Sequence, residues 1–348
     1  MKANQNAGRT TGTALTRLWN RNPPLALLCL TMLISLGIFT VALYLDPRIL
    51  NGQLLWIKPA KFAVSILLYS ATLIWMLEFV EGSERTLRIV KIASWIIAAM
   101  FVVEVVAIFG QAARGRISHF NISTVEDAVV FNVMGTAIMT LFVAHVVITW
   151  IVLRQRTDEP TFTAGLRAGL LVAALGMLVG YLMVIPTSEQ IELMGQGVNP
   201  GLSGSHTVGA PDGGPGLPLT GWSTEAGDLR IAHFFGMHAM QILPLFALWL
   251  RRRTNRAALP DNGTQLKQRT YVRIFAVMYA GVTLALTVQA LRGESFAHPG
   301  AITIASFAAI IIVGAFAFWR VKSSSPTTNA RASGQPTHNT SQQGFQLM

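Results

Sequence analysis

Charge is scarce in this chain: Asp, Glu, Lys and Arg make up 12% of its 348 residues, where soluble domains hold about one quarter. A chain this poor in charge cannot cover a water-exposed surface, so lipid is the expected solvent. Cysteine is nearly absent as well. The single Cys29 excludes a disulfide framework, a CxxC redox motif and a thiolate zinc site. There is no repeat of fixed period, and the two halves share no motif, which argues against transporters built from inverted repeats. The glycines lack the G-x-x-x-x-G-K-[ST] spacing of a phosphate cradle. Ser118-His119 and Ser205-His206 are only neighbours in sequence, which is no evidence of a catalytic triad. A net charge of +11 could indicate nucleic acid, but the basic residues lie between apolar runs rather than on one domain. Nucleic acid is therefore not an expected partner.

What the chain has is apolar length. It is 52% hydrophobic, with a mean hydropathy of +0.48. Runs of about 20 apolar residues, enough to cross a bilayer, occur at 25–45, 59–79, 89–111, 128–153, 163–186, 229–250, 271–291 and 300–320. The expected fold class is all-α, a polytopic transmembrane helical bundle of about eight spans. The first run follows Lys2, Arg9, Arg17 and Arg21. It is too long for a signal-peptide core, so an uncleaved anchor is expected. Placing the N-terminus inside puts 20 of the 27 Lys and Arg residues on the inner side, which predicts N-in and C-in topology. The expected organisation is a basic cytoplasmic segment 1–24, a membrane domain 25–320 and a cytoplasmic tail 321–348. That tail is too rich in Ser, Thr, Gln and Asn to bury a core and is expected to be disordered. The expected location is a bacterial inner membrane.

Between the fifth and sixth spans an outward loop of about forty residues, 187–228, is far longer than a usual connection. Its centre, HTVGAPDGGPGLPLTGWS at 206–223, is dense in Gly and Pro without being repetitive. That predicts a compact loop of defined turns, either a lid over an outward-opening cavity or an ordered surface loop. Trp222 suits the lipid–water boundary.

The stretch 227–241, GDLRIAHFFGMHAMQ, carries ionisable groups into a span, where they are expensive unless paired or facing water. On a regular helix Arg230, His233, Met237 and Gln241 share one stripe. Asp228 lies off that stripe at the boundary, where capping the helix is its simplest role. His233 and His238 are i, i+5, about 140° apart on that wheel. A shared ion therefore needs a distortion or ligands from elsewhere. In the third span Glu104 lies at a similar depth, and a lone carboxyl there must be protonated or paired, with Lys61 or Arg230 as the plain structural partners. Lys58 and Lys61 are explained by snorkelling to the interface. His145 lies near the inner leaflet, too deep to share a haem with His238.

Two function classes follow. The first is a membrane-embedded redox protein or enzyme. In it His233 and His238 hold a haem b or first-row metal ion with His119 as a further metal ligand, Glu104 transfers a proton, and Arg230 positions an anionic or lipid-like substrate. The second is a proton-coupled small-solute transporter with Glu104, His233 and His238 as a relay.

Overall fold

A computed structural model describes residues 19, 21–155, 159–253 and 262–323. The basic stretch before Trp19 and the tail from residue 324 lie outside the described residues. Ten helices make up the described chain: α1 (Pro23–Leu45), α2 (Ile57–Leu77), α3 (Glu84–Ala113), α4 (Val125–Arg154), α5 (Pro160–Leu182), α6 (Ser188–Gly195), α7 (Leu229–Met237), α8 (Ala239–Arg253), α9 (Asn262–Leu291) and α10 (Ala301–Ser323). Seven are long and apolar enough to cross a membrane, and the bent pair α7 and α8 together make an eighth. The chain is an all-helical, multi-pass membrane protein.

Local signals set the helix starts. Asn22 caps α1 by accepting from the Leu25 amide, and Pro23 and Pro24 follow, positions where a missing N–H costs nothing. Ser83 and Thr124 cap α3 and α4 in the same way, as hydroxyls commonly do. Large apolar side chains such as Ile34, Val106, Ile304, Ile311 and Phe316 remain uncovered, as expected where lipid completes the packing.

Packing divides the spans into two groups. Helix α1 packs on α2 and α3, and α3 on α4. Helix α5 packs on α7, α8 and α9, while α10 lies against α9 at the edge, and α4 meets α5 between the groups. Helices in lipid gain no hydrophobic drive from meeting each other, so close approach through small residues must supply the contact. Helix α5 does this with Gly165 and Gly169 against α8, and Gly176 and Gly180 against α7. A Cβ on Gly176 would lie 2.5 Å from the Met237 amide nitrogen, and one on Gly236 would lie 2.6 Å from the Gly176 Cα.

The sixth span departs from the straight helix over 229–250 that the hydropathy predicts. Helix α7 ends at Met237, and α8 begins at Ala239 with a 41° bend. Pro244 within α8 removes the N–H that would bond the Met240 carbonyl. One turn before the break, the Phe235 carbonyl accepts the Tyr279 hydroxyl at 2.8 Å. Freed backbone groups at membrane depth need such partners.

The segment 183–228 folds rather than wandering. It contains α6, strand β3 (Thr207–Val208) paired antiparallel with β4 (Gly227–Asp228), and bridges at Asn121–Leu202 and Gly216–Ser223. A second small hairpin, β1 (Ile49–Leu50) with β2 (Gln53–Leu54), lies beside it. Gly213 and Gly221 take positive φ there, and a side chain at Gly221 would collide with Gln53.

Candidate functional site

Glu104 stands on α3, about 14 Å from the helix end at Ala113 by a rise of 1.5 Å per residue, and is 1% exposed. After α3 the chain dips back so that His119 Nε2 meets Glu104 Oε1 at 3.2 Å. Ser118 Oγ contacts His119 Nδ1 at 3.1 Å, and the Phe62 ring flanks the imidazole at 5.4 Å. Glu104 Oε2 is buried and has no hydrogen-bond partner among the described residues. Lys61 and Arg230, the two cations that depth alone offers as partners, are engaged elsewhere. Lys61 Nζ donates to Gln53 Oε1 at 3.0 Å and to the Thr220 carbonyl at 2.9 Å.

Arg230 grips Asp228. Its Nε donates to Asp228 Oδ1 at 2.9 Å and its Nη2 to Oδ2 at 2.6 Å, while Nη2 also reaches the Gly221 carbonyl at 2.7 Å. Asp228 caps α7 through the Arg230 amide and accepts the Ser223 amide at 2.8 Å. It is the cap that its boundary position predicts.

His233 lies across α5. Its Nδ1 meets the Gly176 carbonyl at 2.8 Å, and its ring sits where a side chain at Gly180 would be. The Gly176 carbonyl fixes one ring nitrogen and leaves Nε2 available. His238 stands at the helix break, exposed, with Nδ1 at 3.3 Å from Gln241 Oε1. Gln241 in turn donates to Thr72 Oγ1 on α2 at 3.1 Å. His145 is sealed between the Tyr69 hydroxyl at 2.9 Å and the Leu170 carbonyl at 3.2 Å, so both its nitrogens are occupied. His298 is exposed. Among the described residues no three His, Cys, Asp or Glu side chains gather closely enough to hold a metal ion.

One pair was not legible in the sequence. His206 Nδ1 meets Asp212 Oδ2 at 3.0 Å, with the Phe120 ring at 4.8 Å. Asp212 also accepts the Ser205 hydroxyl and the Thr207 amide, both at 2.9 Å. Five residues separate the partners, two of them in β3, so no spacing rule applies; the turn-forming Asp-Gly-Gly-Pro run at 212–215 was the only trace. Burial pushes the His206 imidazole down to about 4, with the Lys58 and Arg230 charges adding to it against the pull of Asp212. Burial alone would raise Asp212, but the hydrogen bonds from His206 and Thr207 hold it well below the usual carboxylate range. Burial and Lys58 lower His119 also, against Glu104.

A pH dependence follows. An unfolded His titrates near 6.5, so between about 6.5 and 4 the unfolded chain binds a proton that folded His206 refuses. The contribution of His206 is therefore complete above about 6.5 and falls away as pH drops toward 4, by about 2–3 kcal/mol in all. The Asp212 carboxyl stays ionised throughout that window. Thermal unfolding in detergent at pH 7 and pH 4.5 should show this loss, and His206→Asn should flatten it. Equal pH dependence in both proteins removes His206 from the account.

A single cavity of about 1260 Å³ collects these groups: Lys58, Lys61, Glu104, His119, His206, Asp212, Arg230, His233 and His238 all line it. The five residues marked by sequence, Glu104, Arg230, His233, His238 and His119, thus share one space; His145 and His298 do not line it. Residues 213–214 and 216–222 of the long loop form part of its wall. The chain matches no family model, no curated protein and no solved structure. The lining is mixed in kind: charged groups cluster near the loops, while Ile66, Tyr69, Phe101, Leu141 and Phe142 line its depth.

Proposed function

We propose that the protein is a membrane-embedded enzyme that binds a lipid-like molecule in this cavity and moves a proton through Glu104. The Lys and Arg bias of the loops supports a cavity mouth on the side away from the cytoplasm of a bacterial inner membrane. The observation that carries the reading is Glu104 Oε2, buried and without a hydrogen-bond partner among the described residues, at the wall of a largely apolar cavity. An unsatisfied buried carboxyl oxygen is destabilising on its own and is completed by a polar group on a bound molecule. His119, its pKa lowered by burial, contacts Oε1 at 3.2 Å, which supports proton exchange between the two. Proton transfer by a positioned carboxyl contributes typically 10²–10⁴-fold to a rate.

The test is occupancy. Gly135 lines the cavity, and a Cβ there would meet nothing within 4 Å. Gly135→Phe should therefore place a ring in the cavity and obstruct part of it without disturbing the helix. Lipid extraction and mass spectrometry of purified wild type should show an amphipathic molecule that Gly135→Phe lacks. Glu104→Gln should keep the molecule but in a chemically different, unprocessed form. Identical extracts from all three proteins sink the proposal.

A specific observation favours a second reading, the haem or metal redox protein. The His233 Nδ1 contact with a backbone carbonyl is the arrangement that orients a ligating imidazole, and Nε2 is free to take the bond. The same purified sample decides it: a Soret band or stoichiometric metal, lost in His233→Ala, supports that role. Metal loading that survives removal of both His233 and His238 excludes it. A proton-coupled transporter needs a polar route to the Arg251 end, and His145, which lies toward that side, is enclosed by Tyr69 and Leu170.

A further inference from the structure

Lys58 and Lys61 stand three residues apart at the start of α2, and both line the cavity. Snorkelling toward a headgroup layer would turn them away from it. Lys61 donates only to neutral oxygens, those of Gln53 and Thr220. Lys58 makes no hydrogen bond, and neither lysine makes an ion pair, among the described residues. Of the acids nearby, Asp228 is paired with Arg230, while Asp212 and Glu104 contact His206 and His119 and form an ion pair with neither lysine. Lys58 is close enough to feel the charges of Glu104, Arg230, Asp212 and Lys61 without pairing with any acid among them. Cations in a largely apolar cavity are costly without a paired acid, so two ammonium groups that make no ion pair among the described residues offer a place for an anion.

We propose that Lys58 and Lys61 hold the phosphate monoester head of a lipid whose apolar chain runs down the cavity. This rests on the reading of the cavity as a lipid-like substrate site and adds the identity of its head group. Geometry supplies the chain's place: from Lys58 the lining continues through Phe62 and Ile66 to Tyr69, about 16 Å along the helix at 1.5 Å per residue. Charge supplies the head. Two compact ammonium groups on flexible stems suit a tetrahedral dianion of about −1.5 to −2 charge better than a planar monoanionic carboxylate, which an arginine fork reads. Arg230 cannot act as that fork, because Nε and Nη2 are held by Asp228 and Gly221.

The experiment is a binding titration of the full-length protein in detergent, followed by native mass spectrometry. The probes are phosphatidic acid, diacylglycerol with the same chains, the matching fatty acid and inorganic phosphate. Phosphatidic acid should bind the wild type about tenfold or more tighter than diacylglycerol, which has no charge, or the fatty acid, whose planar monoanion offers less charge and fewer acceptors than a phosphate. Inorganic phosphate at equal concentration should not displace it. Lys58→Gln should lose that preference and Lys58→Arg should retain it. Lys58→Gln that prefers phosphatidic acid as strongly as wild type overturns the assignment. So does displacement by inorganic phosphate, which would identify a soluble anion. The ligand series on wild type needs no variant to fold. Equal affinity for phosphatidic acid and diacylglycerol sinks the head-group assignment while leaving the lipid cavity intact. Identical lipid extracts from wild type and Gly135→Phe would instead sink the cavity reading itself.

Discussion

Gly176→Ala is expected to cripple the bundle, although it adds a single methyl group. The new carbon would lie 2.5 Å from the Met237 nitrogen and 2.6 Å from the Gly236 carbonyl carbon. Both are backbone atoms, so no rotamer change relieves the clash. Helices α5 and α7 must separate by about 1 Å to restore ordinary contact, and overpacking of this kind costs about 1–3 kcal/mol or more. Separation also pulls His233 from the Gly176 carbonyl and disturbs the bend that Tyr279 secures through Phe235. A fall in melting temperature of about 10 °C or loss of the monodisperse detergent complex is expected. Gly37→Ala is the control, since a Cβ there meets nothing within 4 Å. Equal stability of the two variants removes the glycine contact from the account of the fold.

The same contact shows where reading the chain as a string of spans stops. Hydropathy located the long helices because apolar length is a property of consecutive residues. The bend at His238 was not visible that way. Pro244 lies six residues further on, and the break depends also on Gly236 meeting Gly176 from a different span. A wheel drawn through 229–250 therefore joined Gln241 to the His233 stripe, whereas the bend carries Gln241 onto α8, bonded to Thr72. Depth arguments fared better. Counting rise per residue placed Glu104, His233 and the boundary loops at one level, and one cavity holds them. Counting could not choose partners among groups of equal depth. Glu104 pairs with His119 rather than Lys61 or Arg230 because the loop after α3 turns inward. The His206–Asp212 pair depends wholly on the folded loop and its turns.

Asp228→Ala is expected to have the larger effect of the two changes that separate Arg230 from its carboxylate. The Asp228 side chain accepts the Arg230 guanidinium, the Arg230 amide and the Ser223 amide, and its carboxylate is fully buried. Alanine removes the α7 cap, worth about 1 kcal/mol, and leaves a mostly buried guanidinium without its anion, a loss of about 3–5 kcal/mol. The loop should loosen with it, because Ser223 and Gly221 are fastened to the same pair. Limited proteolysis should then cut within 209–223, where the wild type resists. The Arg230 amide bonds Oδ1 and the Ser223 amide Oδ2, so Asp228→Asn keeps an acceptor for only one of them and should fall between alanine and wild type. Adding Arg230→Leu to Asp228→Ala should recover part of the stability, since the stranded charge is then gone and only the cap and the Ser223 bond remain lost. A double variant no more stable than Asp228→Ala alone means the penalty lies in the cap and loop geometry.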